Sequence, residues 1–392
     1  MILLSLAVGL VAAIMLLSTL SDALSIAWVL LNHRSSQPSS PAGLPRLLFL
    51  VPAHDEELLI DSCVRSLLAM QYPTARYDVV VIADNCTDRT DEIARGLGVR
   101  CLARLDPDLR GKPHAVAWAV NQLPVGDYDA VLILDADAVV EPGFAEGIAE
   151  AAPLARKAVQ PFNDVRNPEE SSITRMAAVL AGGIFRGSFP LKYRAGLNVP
   201  LGCGMCVGRE VLAAYGWKAF SLGEDLEWYA ILTSEGVAID YAPNAHLYAQ
   251  EAKSLAQSGS QRQRWLAGRL SNLLRRGPEI VRSGKTGIRQ KLDAVAELAA
   301  IGPIAQLGLL VLLEILVFAT APPGAQILTA LLLASLVRPL GYALIGLSHD
   351  PHPLRAVRAF AFLPIYAVWR VAALMGGLRM VGDKYWIRTG RH

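Results

Sequence analysis

An apolar run opens the chain over residues 1–31, with Asp22 as its one charge. About 20 apolar residues cross the ~30 Å hydrocarbon core of a bilayer, and in that medium only a helix satisfies its own backbone polar groups. A cleaved signal peptide would carry a basic start and a shorter apolar core. Here no Lys or Arg precedes Arg34, so the run predicts a retained helical anchor. His33 and Arg34 follow it and place its C-terminal end in the cytoplasm. The Ser/Pro-rich stretch that follows reads as a linker, 32–45.

A second apolar region lies near the other end. Residues 299–320 are interrupted only by Glu314, Ala321-Pro-Pro-Gly324 makes a turn, and 325–347 carry Arg338. Together they predict a transmembrane hairpin within 296–347. A guanidinium at that depth must face protein, a headgroup or a polar pathway, so Arg338 either lines a glycan or lipid route or pairs with Glu314. Residues 348–378 are apolar but contain Arg355, Arg358, Pro364 and Arg370. An interfacial or re-entrant segment is predicted, with a third C-terminal span as the alternative, because the basic tail 379–392 favours the cytoplasm.

Hydrophobic residues make up 53% of the chain and charged residues 18%, and the apolar excess is confined to the two ends. The basic residues between 262 and 291 adjoin an apolar segment rather than an aromatic base-stacking surface, which argues against nucleic acid as a partner. They predict amphipathic interfacial helices over 251–295. Five cysteines without framework spacing argue for a reducing compartment. Cys203-Gly-Met-Cys206 lacks the second close pair that a structural zinc site needs, and reads as two buried thiols in a glycine loop.

Between these ends, 46–250 alternate short apolar β runs with helical stretches. Strands are predicted at 47–51, 78–82, 99–102 and 130–134, and helices at 55–70, 87–95 and 111–121, with Asn85 or Thr87 as a helix cap. Alternation of this kind predicts an α/β fold with a mostly parallel sheet, whose ligands bind at the carboxyl ends of the strands. Three such ends lead into Ala53-His-Asp-Glu-Glu57, Ala83-Asp-Asn85 and Asp135-Ala-Asp137.

These segments carry the chemistry. Asp135 and Asp137 beyond a strand end suit Mg²⁺ or Mn²⁺, which prefer oxygen ligands and bridge to phosphates; the same pair also suits a solvated turn. Asp84 is placed to accept from a base or ribose, or to close an Asx turn. Lys112 opens a helix, where a cation and free N–H groups suit a diphosphate. Glu224 and Asp225 begin another helix; Asp225 is either a cap or a general base taking a proton from an acceptor hydroxyl. Gln261, Arg264 and Trp265 share one helical face. Arg262 and Arg269 read instead as part of the basic interfacial surface. Of the histidines, His246 is the better placed as a ligand, lying in sequence between Asp225 and Gln261.

In this order, the segments at 51–57, 83–85, 135–137, 223–225 and 261–265 resemble the motif set of membrane-integrated family 2 glycosyltransferases, the group of cellulose, hyaluronan and poly-N-acetylglucosamine synthases and ceramide glucosyltransferase-like enzymes. The resemblance covers about 46–270. It implies a GT-A fold (Rossmann-like), a UDP-sugar donor, a divalent cation and inversion at the anomeric carbon. It further implies donor contacts from Asp84, Lys112, Gln261 and Arg264, a metal contact from Asp137, an acceptor contact from Trp265, and Asp225 as base; Pro52, Glu56 and Asp135 are further candidate donor contacts, Glu224 a further candidate acceptor contact and His246 a further candidate metal ligand. Trp386-Ile-Arg-Thr389-Gly-Arg391 resembles the cellulose synthase gating loop and implies nucleotide contacts from Thr389 and Arg391.

The expected activity is transfer to a growing polysaccharide, with single-sugar transfer to a membrane lipid as the alternative and a non-catalytic scaffold as a third reading. The expected partners are the UDP-sugar, a glycan or lipid acceptor, the bilayer, and export or polymerisation proteins. The expected location is the bacterial inner membrane, multi-pass, with the catalytic part cytoplasmic. A reporter enzyme fused after His392 is expected to signal from the cytoplasm; a periplasmic signal would overturn the assignment of 348–378 as non-spanning.

Overall fold

The computed structural model describes residues 1–32 and 43–380. Most of the linker, and Thr389 and Arg391 with the rest of the gating-like segment, lie outside the described residues. Along the chain run α1 (Ile2–Leu31), β1 (Leu47–Ala53), α2 (Ile60–Leu68), β2 (Tyr77–Asp84), α3 (Thr90–Gly96), β3 (Arg100–Arg104), α4 (Lys112–Gln122), β4 (Ala130–Ile133), β5 (Val139–Val140), α5 (Phe144–Ala149) and β6 (Ala158–Val165). Then come α6 (Ser172–Gly183), α7 (Phe189–Arg194), β7 (Met205–Gly208), α8 (Arg209–Tyr215), α9 (Glu224–Ser234), β8 (Ile239–Ala249), α10 (Leu255–Arg282), α11 (Ile288–Ala299), α12 (Pro303–Thr320), α13 (Ala325–Ala334), α14 (Val337–Ser348), α15 (Pro353–Ala359) and α16 (Leu363–Arg379). They divide into two compact units.

The α/β unit comprises residues 43–166 and 198–250. Its sheet has the order β3-β2-β1-β4-β7-β6-β8-β5. β3, β2, β1 and β4 are mutually parallel, β7 runs antiparallel between β4 and β6, and β6 is parallel to β8. β1 is buried along its whole length, as expected of a central strand covered on both faces. Pro52 falls inside this strand rather than ending it. β4 pairs with β1 only as far as Leu50↔Ile133, so Pro52 lies beyond the doubly flanked part, where its missing N–H is tolerated.

The loops after β1 and β2 depart from expectation. Residues 55–59 are not helical and α2 starts at Ile60. Asp55 takes a positive φ of 53°, and its carboxylate accepts the Thr87 N–H at 2.6 Å. The Glu56 N–H donates to Thr90 Oγ1 at 2.8 Å. These cross-links hold the two loops together and draw the predicted first helical turn into the connection. Neither Asn85 nor Thr87 caps α3; Asp88 does the equivalent work, accepting from Thr90 N (3.0 Å) and Oγ1 (2.6 Å). The second half of the Gly202–Val207 loop is strand β7.

The helical unit comprises residues 1–32, 167–197 and 251–380. Four stretches in it are long and apolar enough to cross a membrane: Ile2–Leu31, Pro303–Thr320, Ala325–Ser348 and Pro353–Arg379. The segment 167–197 belongs here, not with the 46–250 block. The reason is backbone contact between α6 and α14. A Cβ on Gly183 would lie 2.0 Å from the Tyr342 oxygen, and one on Gly346 would lie 1.8 Å from the Val179 oxygen. Small residues that let backbones touch are a common way to join helices in lipid. Nor does Arg338 pair with Glu314. It meets Asp22 at 2.9 Å and Glu297 at 3.2 Å, while Glu314 accepts from Thr329 at 2.9 Å. The long polar helix breaks at 283–287, so the predicted 251–295 block is α10 followed by α11.

Gly346→Leu is expected to lower the melting temperature in detergent, since overpacking costs about 1–3 kcal/mol even where the backbone can shift. Gly341→Leu, on the same helix but facing open space, is the control expected to leave it unchanged.

Candidate active site

β4 ends at Ile133, which leaves Asp135 and Asp137 just past a strand's carboxyl end. α4 starts at Lys112, directly after Gly111, whose φ of 102° suits glycine. α9 starts at Glu224 and carries Asp225 in its first turn, where the helix dipole favours acids. These three termini meet. Lys112 Nζ lies 2.7 Å from Asp135 Oδ1 and 3.1 Å from Glu224 Oε1. Burial alone would lower the lysine's pKa, but Asp135 and Glu224 outweigh it and hold the ammonium well above its usual range. Asp225 is shifted upward to about 6, first because protein surrounds it closely and second because Glu224 adds a like charge.

Asp84 was expected to face a base or ribose. Instead it is 2% exposed and both its oxygens are engaged. Oδ1 accepts from Arg104 at 2.5 Å and from Asn85 at 3.0 Å, and Oδ2 accepts the Gly111 N–H at 3.1 Å. In this structure Asp84 is an anchor that sets the start of α4, and so the position of Lys112. Pro52 is buried within β1. Glu56 sits in the cross-linked loop, with its backbone tied to Thr90.

The loop 202–204 borders these residues. Gln160, fully buried in β6, accepts the Gly202 N–H at 2.7 Å, and its amide donates to the Cys203 carbonyl at 3.1 Å. Cys203 Sγ in turn accepts the Asp135 N–H at 3.4 Å. Burial and the charge of Asp135 push the Cys203 thiol well up, so it stays neutral. No disulfide links the cysteines.

His246 does not form a ready ligand set with Asp137. Its ring stacks on Phe162 at 4.5 Å, and Nδ1 is 4.0 Å from Glu141. Among the described residues, the ligand atoms already gathered are those of Asp55, Cys86 and Asp88. The acids of that group serve as acceptors, Asp55 for the loop after β2 and Asp88 for its own turn. Asp137 is 7% exposed. Its neighbour Asp135 is held by Lys112, and two carboxylates one residue apart fit a divalent ion by donor chemistry.

Gln261, Arg264 and Trp265 lie on α10 of the helical unit. Trp265 is 45% exposed, and the Arg262 guanidinium sits 4.5 Å from its ring centroid. The Gln261 Oε1 is buried without a hydrogen-bond partner.

Sequence reasoning missed Arg104, Gln160 and His54, whose Nδ1 lies 2.7 Å from the Asp84 carbonyl. Gln160 did leave a signal, as a lone amide in the apolar run Val159-Gln-Pro-Phe162. Arg104 left none, since it pairs with Asp84 only through the β2–β3 register.

Sheet order and a carboxylate-lined strand edge define the α/β unit as a GT-A type of fold. The chain belongs to the family described as glycosyltransferase like family 2, whose model matches residues 45–268. A β-monoglucosyldiacylglycerol synthase of Trichormus variabilis is 27% identical over 216 residues, covering 51% of this chain and 43% of that protein. A probable glycosyltransferase of Bacillus subtilis is 24% identical over 242 residues, covering 57% and 55%. The chain thus spans about half the length of the curated relatives it matches. In fold it is similar to a mannosyltransferase from Pyrobaculum calidifontis, solved with GDP-mannose and Mn²⁺, with a TM-score of 0.59 at 18% identity over 97% of this chain and 98% of that one.

Arg104→Met is expected to destabilise the α/β unit by about 3 kcal/mol in chemical denaturation, because it strands the buried Asp84 carboxylate. A loss below about 1 kcal/mol would show that Asp84 is not held by this pair.

Proposed function

We propose that the chain is an inverting glycosyltransferase that moves one sugar from a UDP-sugar to a membrane lipid. The observation that carries the reading is Lys112 shared between Asp135 and Glu224, with Asp225 beside them at the start of α9. The acids gathered there would repel a diphosphate unless a cation joined them. A Mg²⁺ or Mn²⁺ held by Asp135 and Asp137 would neutralise charge on the leaving diphosphate. Lys112 is placed to turn from the acids to that same group.

Asp225 takes the proton of the acceptor hydroxyl as its oxygen forms the new bond to the anomeric carbon. The bond from that carbon to the diphosphate breaks on the opposite face, and the diphosphate leaves with the electron pair. Burial, and after it the charge of Glu224, keep the Asp225 carboxylate more basic than an ordinary aspartate, which suits proton abstraction near neutrality. Gln261, Arg264 and Trp265 on α10 are the proposed contacts to diphosphate and acceptor, and Thr389 and Arg391 to nucleotide.

A lipid acceptor is supported by four helices long enough to span a membrane and by the similarity to a protein named for a glucosyl-diacylglycerol product. The half-exposed Trp265 on its basic helix favours a second reading, a growing polysaccharide, which would also call for export or polymerisation partners. Both readings place the chain in the bacterial inner membrane with the α/β unit on the cytoplasmic side.

With membranes, a UDP-sugar panel and Mn²⁺, one glycolipid product is expected; a ladder of sizes assigns the polysaccharide instead. Because the Asp225 pKa is raised, the base is protonated and idle below it, so transfer should rise as pH increases through about 6. Asp225→Asn should lose transfer at every pH and keep UDP affinity; full activity in that variant would refute the base. Asp137→Asn should weaken Mn²⁺-dependent UDP binding roughly tenfold or more, about the effect of losing one metal-held contact.

A further inference from the structure

We propose that Arg262 and Arg370, meeting at Tyr366 between α10 and α16, form a binding site for the phosphate of a membrane lipid headgroup. Arg262 was expected on the basic interfacial surface. It is turned inward instead: its side chain is 12% exposed, it pairs with Glu251, and it lies over Trp265. It also meets the hydroxyl of Tyr366, a residue 2% exposed. Arg370 reaches the same hydroxyl from α16 and is close enough to Arg262 and Glu251 to interact with both. Its Nη2 passes 3.0 Å from where a Cβ on Gly302 would stand, so the glycine leaves it room.

Two guanidiniums thus face one carboxylate and one phenol. The balance is a net positive charge in a half-buried place, where a missing anion is costly. The Nε groups of both Arg262 and Arg370 are buried without a hydrogen-bond acceptor. A buried donor left unmet is destabilising, because it has given up its water without a partner in return. A phosphate supplies what the pair lacks: negative charge, and several oxygens in the planar geometry that guanidinium matches.

The surroundings select a lipid over free phosphate. Tyr366 belongs to an apolar cluster with Ile173, Met176, Ile304 and Ala367. Phe362, Tyr366 and Trp369 form a ladder of stacked rings along α16. Ile365 and Val368 of the same helix are exposed, in a stretch long and apolar enough to enter a bilayer. A ligand that sets its charge on the arginines and its chains along this surface is an amphiphile.

The test is a binding titration of the full chain, purified in neutral detergent, with short-chain phosphatidic acid, followed by tryptophan fluorescence. Saturable binding is expected, weakened about tenfold in Arg370→Gln, the worth of one charge-assisted pair. Glu251→Gln is expected to bind more tightly, since it frees Arg262; a folding defect cannot produce that gain. Equal affinity in Arg370→Gln, no gain in Glu251→Gln, or equal competition by uncharged diacylglycerol overturns the site. Inorganic phosphate competing as well as the lipid overturns the lipid assignment. Binding is read without any transfer, so this result stands apart from the success or failure of the proposed reaction.

Discussion

Lys112 stands between two carboxylates, and the α/β unit is arranged around the cost of that gathering. Like charges at the ends of a strand and a helix repel unless a cation or a low-cost proton intervenes. Lys112 supplies the cation, held at 2.7 and 3.1 Å. Asp225 bears the remaining strain as a carboxyl displaced upward to about 6, first by burial and then by Glu224, so it takes up a proton more readily than an ordinary aspartate. The supports behind these residues then make sense together. Asp84 and Arg104 fix the backbone before Lys112, and Gln160 fixes the loop whose cysteine accepts from Asp135.

The helical unit solves a related problem within its apolar stretches. Asp22 and Arg338 sit in apolar stretches where an unpaired charge is expensive. They pair with each other, and the set extends through Glu297 to Lys192 and Asp293, with Ser21 donating to Asp293 at 2.6 Å. These acids and bases are bound into one network, so Asp22 and Arg338, each the lone charge of its apolar run, are structural partners of each other. Nearby, close backbone contact at Gly183 and Gly346 does what side-chain interlocking does in a soluble core.

Much of the α/β unit was legible in advance because its cues are local. Continuous apolar runs marked β1, β2 and β4, and the acids beyond them marked the functional edge. Asp135, Lys112, Glu224 and Asp225 could be proposed as site residues because each lies at or just past an element terminus, which periodicity locates. What failed were inferences about direction. Asp84 looked like an open acceptor, but it is turned into the protein by an arginine 20 residues away. His246 looked like a ligand, but its ring lies flat on Phe162 across a strand pair. Arg262 looked like surface charge, but it faces a helix more than 100 residues later in the chain.

By itself, the amino-acid order determined that long apolar helices flank an α/β block, that the block's strands end in carboxylates, and that a basic helix follows. All three follow from hydropathy and spacing within short windows, where burial and backbone geometry act residue by residue. Which charges pair, that Asp84 is anchored inside the protein, and that residues 167–197 join the helices rather than the sheet, were decided only in the tertiary structure. Those outcomes depend on partners distant in sequence, and the free energy of a buried charge is set by whichever groups the fold brings within a few ångströms of it.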